Sequence, residues 1–218
     1  MNPSPKPHKP SGRIRKGLLY ALAVLAAVAA LRFSFYTESL QEHRFREKMG
    51  EFRPEETVDY HWNHQRASLQ DEALDFGEFL QALQTRPEQL ASEHGRVLGI
   101  GSNTFFVVKG RADRFSLGTD CIACEPVPGV RARLATDFIF GSVARDATGW
   151  FQPGDFRTTM DFNTVSAYMN GLIVKEMAAC REQLAQADGF DFCGAVEVNF
   201  DESLPEEWVI IPYTITLR

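Results

Sequence analysis

Four cysteines are the residues whose type and spacing most invite chemistry. Cys121 and Cys124 form a CxxC, and Cys180 and Cys193 follow thirteen residues apart from each other. A CxxC supports thiol–disulfide exchange when a helix N-terminus lowers one thiol's pKa. It makes half a zinc site when a second close couple supplies the other ligands. Here the CxxC sits in strand-forming sequence and the second couple is wide, so neither chemistry is favoured. The expected state is structural disulfides in an oxidising compartment, with Cys121, Cys124, Cys180 and Cys193 as the candidates. Cys180 falls on the apolar stripe of a helix and Cys193 on the polar side of a strand. Their pairing requires the helix to reach that strand's edge.

Arg145 and Asp146 follow the apolar run at 138–140 and precede Trp150 and Phe151. Charged groups beside aromatic rings suit a sugar, with rings against its apolar faces and charges on its hydroxyls. The same two residues also suit a buried pair that fixes a loop. Asn170, on the following helix, fits either role. The candidate ligand-binding set is therefore Arg145, Asp146, Trp150 and Asn170. His61 and His64 lie three apart on a helix-compatible segment, but no third ligand has metal-site spacing, so a solvated helix face is expected. No nucleophile elbow, zinc-protease helix or phosphate loop occurs. The glycine-rich stretch at 99–103 leads into a strand and lacks the helix N-terminus that phosphate binding uses. No catalytic residue, metal or cofactor is expected.

The elements that must carry these residues come from periodicity. Leu74, Phe79, Leu80, Leu83 and Leu90 recur near helical spacing up to Gly95, with Pro87 dividing the run into two short helices. A strand spans 104–110 and continues, with a bend at Gly110, through Phe115 and Leu117. A second strand lies at 121–124, a turn at 126–129, and a third strand runs from Val130 to Ile139. Val165, Met169, Leu172, Ile173, Met177, Cys180 and Leu184 mark one face of a long helix, capped near 161–163 and stopped by Gly189. Alternation from Phe190 to Phe200 and the run 208–217 give two final strands, with Pro212 at an edge or bulge. The fold class is α+β. The order strand, strand, strand, helix, strand, strand after a helical preface is that of an OB-fold-like five-stranded barrel; helices on one face of a split sheet are the alternative.

The amino-terminal region differs in kind. Of 23 Lys and Arg, six fall in residues 1–36 with no acid, leaving 17 against 29 acids, a net of −12, in the remainder. So acidic a body repels phosphate backbones, and nucleic acid is not expected as a partner. Residues 1–16 read as a basic cytoplasmic tail. Residues 17–36 read as a transmembrane signal anchor, with Arg32 snorkelling and Phe33, Phe35 and Tyr36 at the headgroups. A signal peptide cleaved near Ala27 and Ala29 is the rival; we favour the anchor because aromatic residues follow the apolar run. Residues 37–51 make a charged stalk, and residues 52–218 an exported domain. With 44% hydrophobic residues and 17 Phe, that domain is neither disordered, collagenous nor coiled-coil.

Phe52, Arg53 and Pro54 with Val58 and Trp62 form one motif. Gly95, Gly99, Gly101 and Ser102 lead into the Phe-Phe-Val-Val-Lys-Gly of 105–110. Gly-Ser-Val-Ala-Arg-Asp spans 141–146, followed by Asp155 and Phe156, Val165 and Asn170, Gly194 and Ala195, and the final run at 212–217. In this order they resemble an uncharacterised bacterial family of predicted periplasmic lipoproteins and membrane-anchored proteins. The chain departs from it in having no cysteine soon after the apolar segment. Genes of that family accompany sugar-type ABC transporters. The resemblance thus implies a single-pass protein of the inner membrane, its C-terminal domain in the periplasm, that assists uptake of a solute, a sugar above all. ABC transporter components or a periplasmic binding protein would be its partners. The rival is an envelope assembly or scaffold module holding a protein partner by its barrel edge, and an enzyme ranks third.

Overall fold

The computed structural model describes residues 52–98 and 102–218. The expected tail, signal anchor and stalk lie outside the described residues. Among the described residues no helix is long and apolar enough to cross a membrane.

Helix α1 (Pro54–Glu72) opens with proline at its first turn and Glu55 and Glu56 beside it, which suits the free N–H groups and the helix dipole there. It buries Val58, Trp62 and Leu69. A two-residue strand β1 (Leu74–Asp75) leads into α2 (Phe76–Thr85), where Asp75 caps by accepting from the Gly77 and Glu78 amides. Pro87 then starts α3 (Pro87–His94), so the helical run divides where proline requires it.

The strands that follow are β2 (Asn103–Ala112), β3 (Phe115–Leu117), β4 (Cys121–Val127) and β5 (Val130–Ala135). Helices α4 (Val143–Thr148) and α5 (Thr159–Leu184) come next, then β6 (Phe190–Asn199) and β7 (Glu207–Leu217). As a hydrogen-bonded ladder the sheet is seven-stranded and open, in the order β1-β2-β6-β7-β5-β4-β3. β1 with β2 and β5 with β7 are parallel; the other pairs are antiparallel. Only Asp113 and Arg114 separate β2 from β3. One chain segment therefore bends, pairing with β6 by its first limb and with β4 by its second. That bend joins the two sides of the curved sheet and produces the five-strand barrel connectivity. It falls after Ala112, not at Gly110, which stays in the ladder opposite Phe192.

Two apolar clusters lie on the two faces of this sheet. Phe106, Val108, Ile122, Leu134, Phe190, Phe192, Val196, Trp208 and Ile210 fill the inner one, joined by Phe76, Phe79, Leu83 and Leu90 of α2 and α3. Phe105, Val107, Cys193, Ala195, Ile211 and Tyr213 face outward under α1, α4 and α5, against Val58, Trp62, Val165, Met169 and Ile173. The middle of β6 is thus buried on both faces, and Cys193 belongs to a core rather than to a polar side. Trp62 donates to Glu176 at 2.9 Å and Arg66 to the same carboxylate at 2.5 Å, tying α1 to α5.

Pro212 occupies a bulge in the interior of the sheet, since β7 lies between β6 and β5. The register steps from Cys193 opposite Thr214 to Gly194 opposite Pro212, leaving Tyr213 as the extra residue. Proline's missing N–H costs least where the ladder is already interrupted. Gly194 lets the strands close over this point: a Cβ there would lie 2.6 Å from the Ile211 carbonyl oxygen and 2.8 Å from Ile210 Cγ2. Gly194→Ala should destabilise the protein by about 1–3 kcal/mol in urea unfolding, the usual cost of overpacking. A variant as stable as wild type would show that the bulge has room to spare.

Candidate functional site

The outer face is assembled around α4. Tyr213 donates its hydroxyl to the Ala144 carbonyl at 2.6 Å, and burial holds its pKa well above the ordinary value, so it remains a donor. One residue on, Arg145 turns into the protein. Its Nε donates to Asp146 Oδ1 at 2.7 Å, its Nη2 approaches the same oxygen at 2.6 Å, and its Nη1 donates to the Phe162 carbonyl at 2.9 Å. The guanidinium also lies over the Phe162 ring, 3.5 Å from its centroid. Both side chains are only 5% exposed. The geometry is that of a loop-fixing pair joining α4 to the start of α5. The helix ends at Gly149, which adopts φ 65°, and the Arg96 guanidinium donates to the Thr148 carbonyl there. The left-handed backbone at Gly149 favours glycine, and a Cβ there would push the Arg96 guanidinium aside.

Trp150 is half-buried and stacks on His61 at 5.7 Å between ring centres. His64, by contrast, is exposed and stacks on Tyr60 at 4.9 Å. His61 is therefore part of an aromatic contact rather than of a solvated face. Among the described residues no group of three or more His, Cys, Asp or Glu could hold a metal ion.

Of the four expected ligand residues, Asn170 lines a cavity. It forms one wall of a cleft of about 670 Å³ between α5 and the loop at 137–142, together with Phe138, Phe140, Asn163, Ser166 and Gly171. Asn170 Nδ2 donates to the Gly141 carbonyl at 3.1 Å, leaving the amide oxygen for another donor. Ser166 is 7% exposed, and its buried Oγ has no hydrogen-bond partner. Phe138 and Phe140 are 68% and 78% exposed. The strand expected to run to Ile139 stops short of them. β5 stops at Ala135, where the Thr136 and Asp137 amides turn back to the Asp120 carbonyl. Asp137 then accepts from the Phe138 amide, and Phe138 takes φ 49°. A short aspartate-led turn competes locally with the strand, and only Ile139 of the run is buried.

The cysteines correct the disulfide expectation: all four thiols are free. Residues three apart along a strand stand about 10 Å apart, beyond disulfide reach, which disqualifies Cys121 with Cys124 in β4. Cys180 donates instead to the Met177 carbonyl at 3.3 Å. Burial pushes the Cys124 and Cys193 thiols up to about 12, and Cys121 and Cys180 are raised chiefly by burial too. Protonated thiols are poor nucleophiles, so the site is unsuited to thiol exchange.

An OB-like barrel bearing a second core beneath a long helix is the class that this fold defines. The family model for "Predicted periplasmic lipoprotein (DUF2291)" matches residues 22–216, and the chain belongs to that family. It is similar in fold to an OB-fold protein from Thermotoga maritima known by its crystal structure. The two share 20% identity at a TM-score of 0.69, over 78% of this chain and 100% of that one. No curated protein matches the chain.

Two outcomes test this geometry. Arg145→Ala leaves Asp146 buried and unpaired and should cost about 3–5 kcal/mol in denaturant unfolding; a loss below 1 kcal/mol would mean that water reaches the carboxylate. The protein denatured without reductant should release four titratable thiols, and a count of zero would restore the disulfide expectation.

Proposed function

We propose that the protein is a non-catalytic periplasmic accessory of a solute transporter of the ABC type, anchored by residues 17–36, whose cleft beside α5 binds a neutral sugar. The observation that carries this reading is the composition of that cleft. Two exposed rings, Phe138 and Phe140, stand beside the amides of Asn163 and Asn170 and the carboxylate of Asp137. Rings cover the apolar faces of a sugar, and amides and carboxylates satisfy its hydroxyls. Membership of a family described as periplasmic lipoproteins supports the compartment. Arg145 and Asp146 enter this reading only as the pair that fixes the loop preceding Trp150. The rival scaffold role by strand addition has little to work with. β7 is an interior strand, and the sheet edges β1 and β3 are two and three residues long.

A panel of neutral sugars, single-ring and oligomeric, titrated into the full-length protein in detergent should contain one that raises its thermal midpoint. Phe140→Ala should abolish that shift while leaving the unliganded stability within about 0.5 kcal/mol, as expected for an exposed side chain. A panel without a binder, or a Phe140→Ala protein that binds like wild type, overturns the sugar cleft. Deleting the gene should slow uptake of the same sugar, and unchanged uptake removes the transport role.

A further inference from the structure

Two stretches of this charge-rich chain hold no Asp, Glu, Lys or Arg, and they meet on one surface. One is residues 60–65 on α1; the other is residues 147–154, from the end of α4 through Trp150. Rings join them. His61 stacks on Trp150 and meets Phe151 edge-on at 5.0 Å between centres. Tyr60 meets His61 at 5.5 Å and stacks on His64. Tyr60 is 60% exposed, His64 is exposed and Trp150 is half-buried. The nearest acids on α1 are engaged: Glu56 pairs with Arg53 at 3.1 Å, and Asp59 accepts from the Tyr168 hydroxyl at 3.2 Å.

The chain enters the domain beside this surface. Phe52, the first described residue, meets Phe156 edge-on at 5.5 Å, and Phe156 packs against Phe151 at 6.2 Å. Residues 37–51 separate Phe52 from the expected anchor, and that much chain reaches about 55 Å when fully extended. A tether attached here holds this side of the domain within that distance of the bilayer.

We propose that Tyr60, His61, His64 and Trp150 form a face by which the domain rests on the headgroup layer of a phospholipid bilayer. This rests on the reading of residues 17–36 as an anchor and adds an orientation to it, with the outer side of α1 against lipid. Tyrosine and tryptophan favour that layer because their rings are apolar and their tips polar. Residues 37–218 carry a net charge of −12, so an anionic leaflet repels most of the body. A surface made from two uncharged stretches meets no such repulsion.

Tryptophan emission tests this directly. The three tryptophans are Trp62, Trp150 and Trp208, and none lies in the anchor. Trp62 and Trp208 are 3% and 5% exposed, both within cores. Full-length protein is reconstituted into phosphatidylcholine vesicles, plain or brominated high on the acyl chains, where bromine quenches a ring close to it. Brominated vesicles should remove the part of the emission that Trp150 supplies, and Trp150→Phe protein should emit equally in both. Tyr60→Glu and His64→Glu each put a carboxylate on the face and should restore the Trp150 emission. Both side chains are exposed, so the thermal midpoints in detergent should match wild type, and loss of fold cannot mimic loss of docking. Wild-type emission that bromine leaves unchanged overturns the face. So does dimming that persists in Trp150→Phe, or dimming of both carboxylate variants to the wild-type extent. Flotation of the same vesicles separates the two readings. Protein that floats but is not dimmed leaves the anchor standing and the face open to a protein partner, whereas protein that does not float removes anchor and face together.

Discussion

The bond from Tyr213 to the Ala144 carbonyl is the contact on which the outer half of the structure depends. Tyr213 faces outward two residues after Ile211, at the bulge where Gly194 lets the two backbones approach. The hydroxyl then fixes α4 against the sheet. With α4 in place, Arg145 can reach both Asp146 and the Phe162 carbonyl, holding the first turn of α5 beside the loop at 137–142. The cleft is the space those two elements leave. The sheet is thus tied to the walls of the cleft by two buried polar contacts in succession.

The same logic explains why the sheet carries two cores. OB-like barrels need one apolar face, toward the interior. Here β2, β6 and β7 are apolar on both, and the outer face is covered by α1 and α5, themselves joined by Trp62 and Arg66 to Glu176. The long helix is therefore not only a connection between the third and fourth barrel strands. It is the second layer of the domain, and its remaining open flank carries Ser166, Asn170 and Gly171.

Much of the barrel was legible because its residues obey strong periodicities. The two-residue alternation of β6, the helical stripe of α5 and the break at Pro87 each correspond to an element. Three features were not. The bend after Ala112 has no glycine or proline to mark it. Phe138 and Ile139 read as the end of the third strand, yet Asp137 captures the next amide outside the ladder, a competition that hydropathy does not register. Cys193 looked polar-sided because Asp191 and Glu197 flank its register at the strand ends, while the middle of the strand is covered by helices. At the site, Arg145 and Asp146 were recognisable as a pair or a ligand set. Choosing between them requires their burial, which depends on α5, seventeen residues further on for the Phe162 carbonyl alone. The unpaired hydroxyl of Ser166 gave no signal, since it is a property of surroundings and not of spacing.

The bend between β2 and β3 also governs when the domain can exist at all. Val108 is laddered to Gly194 and Thr104 to Val198, so the first strand of the barrel has no partner on that side until almost the whole chain is available. The pairs that form from neighbouring sequence are β3 with β4, β4 with β5, and β6 with β7. Pairings of such wide separation must pay the entropy of closing a long loop before any contact rewards it, which places a protein among slow folders. A polypeptide threaded through a membrane from its N-terminus would emerge with its strand-forming halves unpaired, and would complete its barrel only after β6 and β7 had followed.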